Sequence, residues 1–301
     1  MMRAYFIQSD WRGHPLAEPV FDHEDEVYLP GVFCPECGAD RLFMKFCATI
    51  YTTSEVVEAV RELLTSYQPR LEKVRKWLKQ PIDESRLQNT LLPEDFTELC
   101  QEVRQLLGLP DDFPLSERQC IAARAFFRMP RVPPEWDVWG GYGLGYLTVS
   151  PPAAQLLQYS GLTGFELHPV EVLDKRWRLV RDYVVYELVF RGRGGLPRTE
   201  PEGFWRRCTR CRHWQLTDYR AYDFEIDPSQ WDGSDFFHFV DYGPALVTER
   251  ARVWFEQSGL RLWVRFSEPK EGWYCRYLGG EARDRAHAEN IRKYIPNWRA
   301  D

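Results

Sequence analysis

Two CxxC elements contain the residues of this chain best suited to chemistry. The first is Cys34-Pro35-Glu36-Cys37-Gly38 and the second is Cys208-Thr209-Arg210-Cys211-Arg212. Four thiolates form a complete tetrahedral set for one Zn²⁺. A tight turn in the first element can aim both sulfurs at one metal, and Gly38 can adopt the left-handed conformation of a zinc knuckle. The sequence therefore predicts one structural zinc that joins the N-terminal segment to the C-terminal half. Its predicted ligands are Cys34, Cys37, Cys208 and Cys211.

Other chemistry for these cysteines fits the sequence less well. A thioredoxin-like dithiol opens a helix that lowers the pKa of its first thiol, whereas Cys34 follows a Pro30-Gly31 turn. A catalytic zinc needs an open coordination position, which four cysteines would close. His213 is an alternative ligand in place of one cysteine. The other cysteines are predicted to be small core residues: Cys47, Cys100, Cys120 and Cys275.

Length and composition indicate a globular protein with a core of its own. A chain of 301 residues, 44% of them hydrophobic, can bury about three quarters of its unfolded surface. Its apolar runs are shorter than the roughly 20 residues that span a bilayer. The segment Met1–Gln8 lacks the apolar centre of a signal peptide, and paired CxxC elements without a dense disulfide pattern favour a reducing compartment. We expect a cytoplasmic protein without a membrane partner.

The charge argues against nucleic acid as the general partner. The net charge is -6, whereas neutralising phosphates takes clustered basic residues. One local cluster keeps a zinc-ribbon nucleic-acid-binding regulator as the alternative function. It consists of Trp205-Arg206-Arg207 and Arg210-Cys211-Arg212-His213-Trp214.

Three segments are predicted along the chain. Residues 1–52 form an N-terminal β and zinc-knuckle segment with strands such as Ala4–Gln8. Residues 53–134 form an inserted helical subdomain, because apolar residues recur at helical spacing, as in Ser54–Leu64 and in Asp95–Leu107 before Gly108. Residues 135–301 form an α/β body that contains the second CxxC.

A repeat lies within this body. Leu147–Leu162 aligns without a gap with Ala245–Leu260. Each copy has a short β segment, a Ser or Thr N-cap, a helix of about three turns and a closing Ser-Gly-Leu. A further strand follows in each. The predicted fold is thus an α/β (α+β) protein, a zinc-stapled body with two similar strand-helix-strand units, residues 147–172 and 245–267, and an inserted helical subdomain.

The sequence shows no catalytic constellation. It has no HExxH, no GxSxG and no Ser-His-Asp pattern among its six histidines. The best candidate for catalysis is the strand Asp235–Asp241 with His238, but a strand histidine is more often structural. The glycine-rich Arg191–Gly195 lacks the Lys-Ser/Thr and helix of a P-loop, and we predict a hairpin tip there. We therefore predict no enzyme and no catalytic residues.

These motifs together resemble the myxobacterial double-CxxCG proteins, a family of immunity proteins of swarming-inhibition toxin systems. The resemblance is carried by the Cys34–Gly38 knuckle, the helical middle, the Ser-Gly-Leu-Thr-Gly unit ending in Gly164–Leu167 and the late second CxxC. The second copy, Leu246–Phe266, is also similar to a broader family of polymorphic-toxin immunity proteins. One departure is Arg212, which stands where the family has glycine and puts the geometry of that turn in doubt.

The resemblance implies a cytoplasmic antitoxin that binds a cognate toxin domain and neutralises it by occlusion. Its partner would be a protein, and its zinc would be structural. Tryptophans are frequent anchors of protein interfaces. Trp231, Trp254 and Trp273 lie in or near the region most like an immunity protein.

Overall fold

The computed structural model mixes helices and strands, which confirms the predicted α/β class. It describes residues 4–9, 20–36, 49–78, 90–113, 115, 117, 119–128, 135–140, 147–195, 198–199, 205–212, 214–216, 224–239 and 242–267. Contacts divide the chain into two compact units. The sheet unit comprises Met1–Glu26, Ala122–Arg198 and Asp223–Pro269, and the helical unit comprises Val27–Ile121, Thr199–Tyr222 and Lys270–Asp301.

The described strands and helices are numbered along the chain. The strands are β1 (Ala4–Ser9), β2 (Val20–Tyr28), β3 (Gly31–Val32), β4 (Ile50–Tyr51), β5 (Thr90–Leu91), β6 (Cys120–Arg128), β7 (Val138–Gly140), β8 (Leu147–Val149), β9 (Phe165–Leu173), β10 (Leu179–Phe190), β11 (Gly192–Arg193), β12 (Arg198–Thr199), β13 (Trp205–Arg207), β14 (Trp214–Leu216), β15 (Phe224–Glu225), β16 (Phe236–Phe239), β17 (Tyr242–Thr248) and β18 (Leu262–Ser267). The helices are α1 (Ser54–Ser66), α2 (Gln68–Leu78), α3 (Pro93–Leu107), α4 (Pro151–Gln158) and α5 (Glu249–Gln257).

The strands of the sheet unit lie in the order β11-β16-β17-β1-β18-β7-β8-β10-β9-β6-β2. Parallel pairing joins β11 to β16, β18 to β7 and β6 to β9. Strand β11, at one end of this order, follows β10 after a single residue and pairs with β16 instead of continuing beside β9. A Cβ atom on Gly192 would lie 2.3 Å from the Phe236 carbonyl oxygen, so this strand contact requires glycine. The prediction of a hairpin tip at residues 191–195 was wrong.

Both predicted strand-helix-strand units are present in the sheet unit, as β8-α4-β9 and β17-α5-β18. In each, the two strands flank a third strand that is antiparallel to both. This is β10 in the first copy and β1 in the second. A further strand precedes each copy, β7 in the first and β16 in the second. It pairs with the first strand of its copy at equivalent positions, with Val138 opposite Val149 and Phe236 opposite Val247. The repeat is therefore one strand longer than the sequence alignment indicated.

The two helices of the repeat begin and end in the same way. The Ser150 hydroxyl accepts a hydrogen bond from the Ala153 amide at 3.4 Å, and the Thr248 hydroxyl accepts one from the Ala251 amide at 3.2 Å. These N-caps satisfy amides that the helix leaves unpaired. Each helix is followed by a glycine with positive φ, Gly161 and Gly259. The apolar helix faces join the core of the sheet unit, whose buried residues are Tyr5, Ile7, Val138, Leu147, Val149, Ala153, Ala154, Leu157, Leu162, Leu188, Phe190, Phe236, Ala245, Val247, Ala251, Phe255 and Val264.

A partly buried aspartate, Asp137, connects the first copy to the second. The Asp137 carboxylate accepts from the Ser150 hydroxyl of its own copy at 3.1 Å and from the Arg261 amide of the second copy at 3.0 Å. The Arg261 guanidinium also donates to Asp137, at 2.9 Å. We call this set of bonds the Asp137 clasp. Because charged acceptors form the stronger hydrogen bonds, the clasp fixes the entry to β18.

The Asp235 clasp is its counterpart in the other copy. The Asp235 carboxylate accepts from the Thr248 hydroxyl at 2.8 Å and from the Thr163 amide of the first copy at 3.0 Å. The Asp235 amide donates to the Thr163 carbonyl, just as the Asp137 amide donates to that of Arg261. The copies thus exchange equivalent contacts, which is the pattern of an internal two-fold repeat.

Local signals position the helices of the helical unit. Thr53, one residue before the start of the predicted helix at Ser54, caps α1 by accepting from the Val56 amide. Helix α3 starts with Pro93 at its first turn and ends at Gly108, whose φ of 63° is left-handed, as predicted. Arg70 on α2 pairs with Glu98 on α3 at 2.5 Å. Among the described residues, no helix has the length and apolar character needed to cross a membrane.

These units are not collinear with the predicted segments. The N-terminal strand β1 pairs with β17 and β18, and the second CxxC belongs to the same unit as α1 to α3. Within the segment predicted to be helical, Cys120–Arg128 forms a strand. Short apolar runs do not distinguish helix from strand, and here pairing with β9 decides the conformation.

The Asp137 clasp makes stability depend on pH. Burial alone would raise the pKa of Asp137, but hydrogen bonds from Arg261 and Ser150 outweigh it and hold this pKa below its ordinary value of 3.8. A carboxyl with a lowered pKa stabilises the fold above its unfolded pKa, and this contribution is lost as pH falls through the folded value. Asp137→Asn should therefore lower the free energy of unfolding by about 1–2 kcal/mol at pH 7, and by progressively less below about pH 4.

Urea unfolding of both proteins at pH 7 and pH 3 measures this difference. Asp182→Asn is the control, because Asp182 is exposed in the same unit, and we expect a change below about 0.5 kcal/mol. If Asp137→Asn lowered the free energy of unfolding equally at both pH values, this result would contradict the role of the carboxylate charge.

Candidate metal centre

Cys34 is positioned by a short parallel pairing in the helical unit. It follows β3, whose Gly31 and Val32 lie opposite Thr90 and Leu91 of β5. The Phe33 amide extends this pairing by donating to the Leu91 carbonyl at 3.0 Å. Strand β5 leads into α3, so Cys34 lies close to the first turn of that helix. Its side chain is fully buried.

Cys208 and Cys211 are positioned by an antiparallel hairpin. Strands β13 and β14 pair with Arg207 opposite Trp214, and the turn between them contains both cysteines. The Arg212 amide donates to the Cys208 carbonyl at 3.0 Å. This bond closes a tight turn, which is the local geometry that lets two cysteines bind one metal.

The three thiols meet at one point in the helical unit. The sulfur atoms of Cys34, Cys208 and Cys211 all lie within 4.8 Å of one another. The Cys34 Sγ is 3.8 Å from the Cys208 Sγ, far beyond the roughly 2 Å of a disulfide. A tetrahedral zinc with bonds of about 2.3 Å places its sulfurs about 3.8 Å apart. The described thiols therefore have the chemistry and the spacing to hold a metal ion.

The structure thus brings together three of the four predicted ligands. Cys37, Gly38 and the alternative ligand His213 lie outside the described residues, as do Cys47 and Cys275. Cys100 and Cys120 are buried, which confirms the prediction that they are core residues.

Two polar contacts connect the loops around the thiols. The Thr209 hydroxyl donates to the Glu36 carboxylate, and the Arg210 guanidinium donates to Glu94 in the first turn of α3 at 2.5 Å. The hydrogen bond from Arg210 lowers the pKa of Glu94. The same bond raises the pKa of Arg210, and the charge of Cys34 adds a smaller effect in the same direction. A permanent cation beside a thiol favours the thiolate that binds metals.

Sequence reasoning missed these supporting residues. Nothing in the spacing of Glu36 or Glu94 connects them to the second CxxC, because the contacts join segments distant in the chain. A single signal was available for Glu94, since acidic residues are common in the first turn of a helix.

Arg212, the residue after the second CxxC, adopts a backbone conformation that favours glycine. Its φ is 59°, in the left-handed region that is unfavourable for residues with a Cβ atom. The turn at the second CxxC therefore carries backbone strain at this residue.

The other candidate residues have structural contacts. Both carboxylate oxygens of Asp235 are engaged in its clasp, and the His238 ring lies 5.7 Å from that of Phe190. Trp231 is partly buried and donates to the Ser234 carbonyl, while Trp254 packs edge-on against Phe255. Trp273 and Asp241 lie outside the described residues.

Comparison with models of known protein families and with curated proteins found no match to this chain.

The strain at Arg212 gives a direct test of the turn. Arg212→Gly should raise the free energy of unfolding of the metal-loaded protein by about 0.5–1 kcal/mol, because glycine adopts positive φ without a steric penalty. Arg212→Ala removes the same side chain but keeps the strain, so it should not stabilise. Guanidinium unfolding of the three proteins measures the effect, and equal stability of both variants would show that the backbone is not strained there.

Proposed function

We propose that this protein is a cytoplasmic immunity protein that binds a cognate polymorphic toxin and blocks it by occlusion, without catalysing a reaction. The observation that carries the proposal is the meeting of Cys34 with Cys208 and Cys211. The resemblance to double-CxxCG proteins depends on both elements, and their convergence gives that pair of motifs a common structural purpose.

The proposed metal is a structural zinc, with Cys37 as the fourth ligand. The described donors are soft thiols, which select zinc among the common divalent ions, and their sulfur spacing fits a tetrahedral site. Four thiolates leave no position for water or substrate. The site would therefore stabilise the fold and take no part in a reaction.

The residues around the site argue for a scaffold rather than a nucleic-acid-binding module. Arg210 is paired with Glu94, and the Arg207 guanidinium donates to the Arg212 carbonyl. Two arginines of the basic cluster that favoured the alternative are therefore used inside the protein. Phosphate binding would have to compete with these contacts.

Loss of a thiolate should abolish the metal site. Cys208→Ser is expected to lose zinc and to be insoluble or unfolded, because a structural zinc contributes on the order of 10 kcal/mol to folding. Cys100→Ser is the matched control, a buried thiol outside the cluster, and should retain one zinc per chain. Elemental analysis and thermal unfolding measure both. A soluble, metal-free Cys208→Ser protein as stable as the parent would remove the zinc from the proposal.

The antitoxin function is tested in cells and with purified proteins. Cells that express the toxin-like product of the neighbouring gene should survive when this protein is co-expressed and should die when it is absent. The two proteins should then co-purify as a stable complex. Death in both cases, with the toxin shown to be active and this protein shown to be folded, would contradict the proposed function.

A further inference from the structure

The hairpin formed by β9 and β10 carries apolar side chains from the core onto the protein surface. Leu167 lies opposite Leu188, which is buried in the core. On the same face of the sheet, Glu171 lies opposite Val184 and Leu173 lies opposite Leu179. Val184 and Leu179 are 39% and 49% exposed. The face that is core at one end of the hairpin is therefore open to solvent at the other.

A tryptophan stands at the tip of this hairpin in an unfavourable backbone conformation. The Trp177 amide donates to the Asp174 carbonyl, and the Asp174 amide donates to that of Arg178, so residues 175–177 form a three-residue loop. Trp177 occupies the left-handed position with a φ of 63°. Glycine is the usual residue at this point of such a loop. A bulky residue there indicates a role other than folding.

The tip is held rigid by one carboxylate. Asp174 accepts from the amides of Arg176 and Arg178 at 2.7 and 3.0 Å and from the Arg178 guanidinium at 2.8 Å. The hydrogen bonds from Arg178 hold the pKa of Asp174 at about 2. A loop fixed before binding loses little entropy when a partner arrives.

The tryptophan ring is available to a partner. Trp177 is 56% exposed, and its ring stacks on the Arg128 guanidinium, which lies 4.6 Å from the ring centroid. Arg128 lies opposite Leu173 on β9, so it shares the face of Leu173 and Leu179. Trp177, Leu179 and Val184 thus border one surface, which we call the tip face.

The charge around the tip face differs from that of the whole protein. The segments 124–128 and 171–184 contain six basic and three acidic residues, in a chain whose net charge is -6. The basic residues are Arg124, Arg128, Lys175, Arg176, Arg178 and Arg181, and the acidic ones are Glu171, Asp174 and Asp182. A positive patch around exposed apolar side chains complements an acidic surface that contains an apolar pocket.

We propose that the tip face is the surface with which this protein binds its toxin, and that Trp177 inserts into an apolar pocket rimmed by carboxylates on that toxin. The inference rests on the proposed antitoxin function. An exposed, rigid tryptophan beside arginines has the composition of a binding hot spot.

Trp177→Gly separates binding from folding. Glycine relieves the left-handed backbone while the ring is lost, so the variant should unfold at the same or a higher denaturant concentration than the parent. Its dissociation constant for the purified neighbouring-gene toxin, carrying an inactivating mutation, should rise by at least about 30-fold. Calorimetry or surface plasmon resonance measures this affinity. Tyr159→Ala is the matched control, an 82% exposed aromatic residue elsewhere in the sheet unit, and should bind like the parent.

A charge-reversal variant tests the complementarity. Lys175→Glu combined with Arg176→Glu should slow association by about tenfold or more and flatten its dependence on salt. Normal toxin binding by both hairpin variants would show that the tip face is not the toxin-binding surface, while leaving the antitoxin function intact. Absence of toxin binding by the parent protein would overturn both proposals. Binding of a single-stranded DNA or RNA probe that only the hairpin variants lose would assign the face to nucleic acid instead.

Discussion

The meeting of Cys34 with Cys208 and Cys211 is the constraint on which the helical unit depends. The segment Thr199–Tyr222 belongs to this unit although the chain on both sides of it belongs to the sheet unit. The described β13–β14 hairpin is short, and the contacts of its turn with Glu36 and Glu94 are single side-chain bonds of the kind that contribute little by themselves when exposed. A metal bound by the three thiols would supply the strong connection that these bonds do not.

The sheet unit is organised in another way, by equivalent hydrogen bonds that each of two similar halves makes to the other. Each half provides a capped helix, and each aspartate clasp fixes the loop after the helix of the other half. The same carboxylate thus satisfies an N-cap hydroxyl and a distant amide. Such an arrangement favours an internal repeat that folds as one body, since neither half completes its hydrogen bonds alone. The rigid tip of the β9–β10 hairpin then projects from a firmly specified sheet.

Local signals in the sequence predicted much of this structure, and long-range pairing accounts for the remainder. The caps at Ser150 and Thr248 and the helix end at Gly108 depend on nearby residues and were predicted correctly. The insertion of β1 and β10 between the strands of each copy could not be predicted, because strand pairing leaves no local pattern. Likewise, the sequence indicated the cysteines of the candidate metal centre but not Glu94 or Arg210, whose contact depends on the fold. The strained Trp177 carries no signal in its residue type, since only its φ distinguishes it.

Zinc K-edge X-ray absorption of the purified full chain tests most directly whether both CxxC elements bind one metal in a closed site. We expect one zinc per chain surrounded by four sulfur atoms at about 2.3 Å. A metal-free protein, or a zinc with nitrogen and oxygen ligands and an open position, would contradict the closed four-thiolate site. The second result would instead favour a catalytic metal.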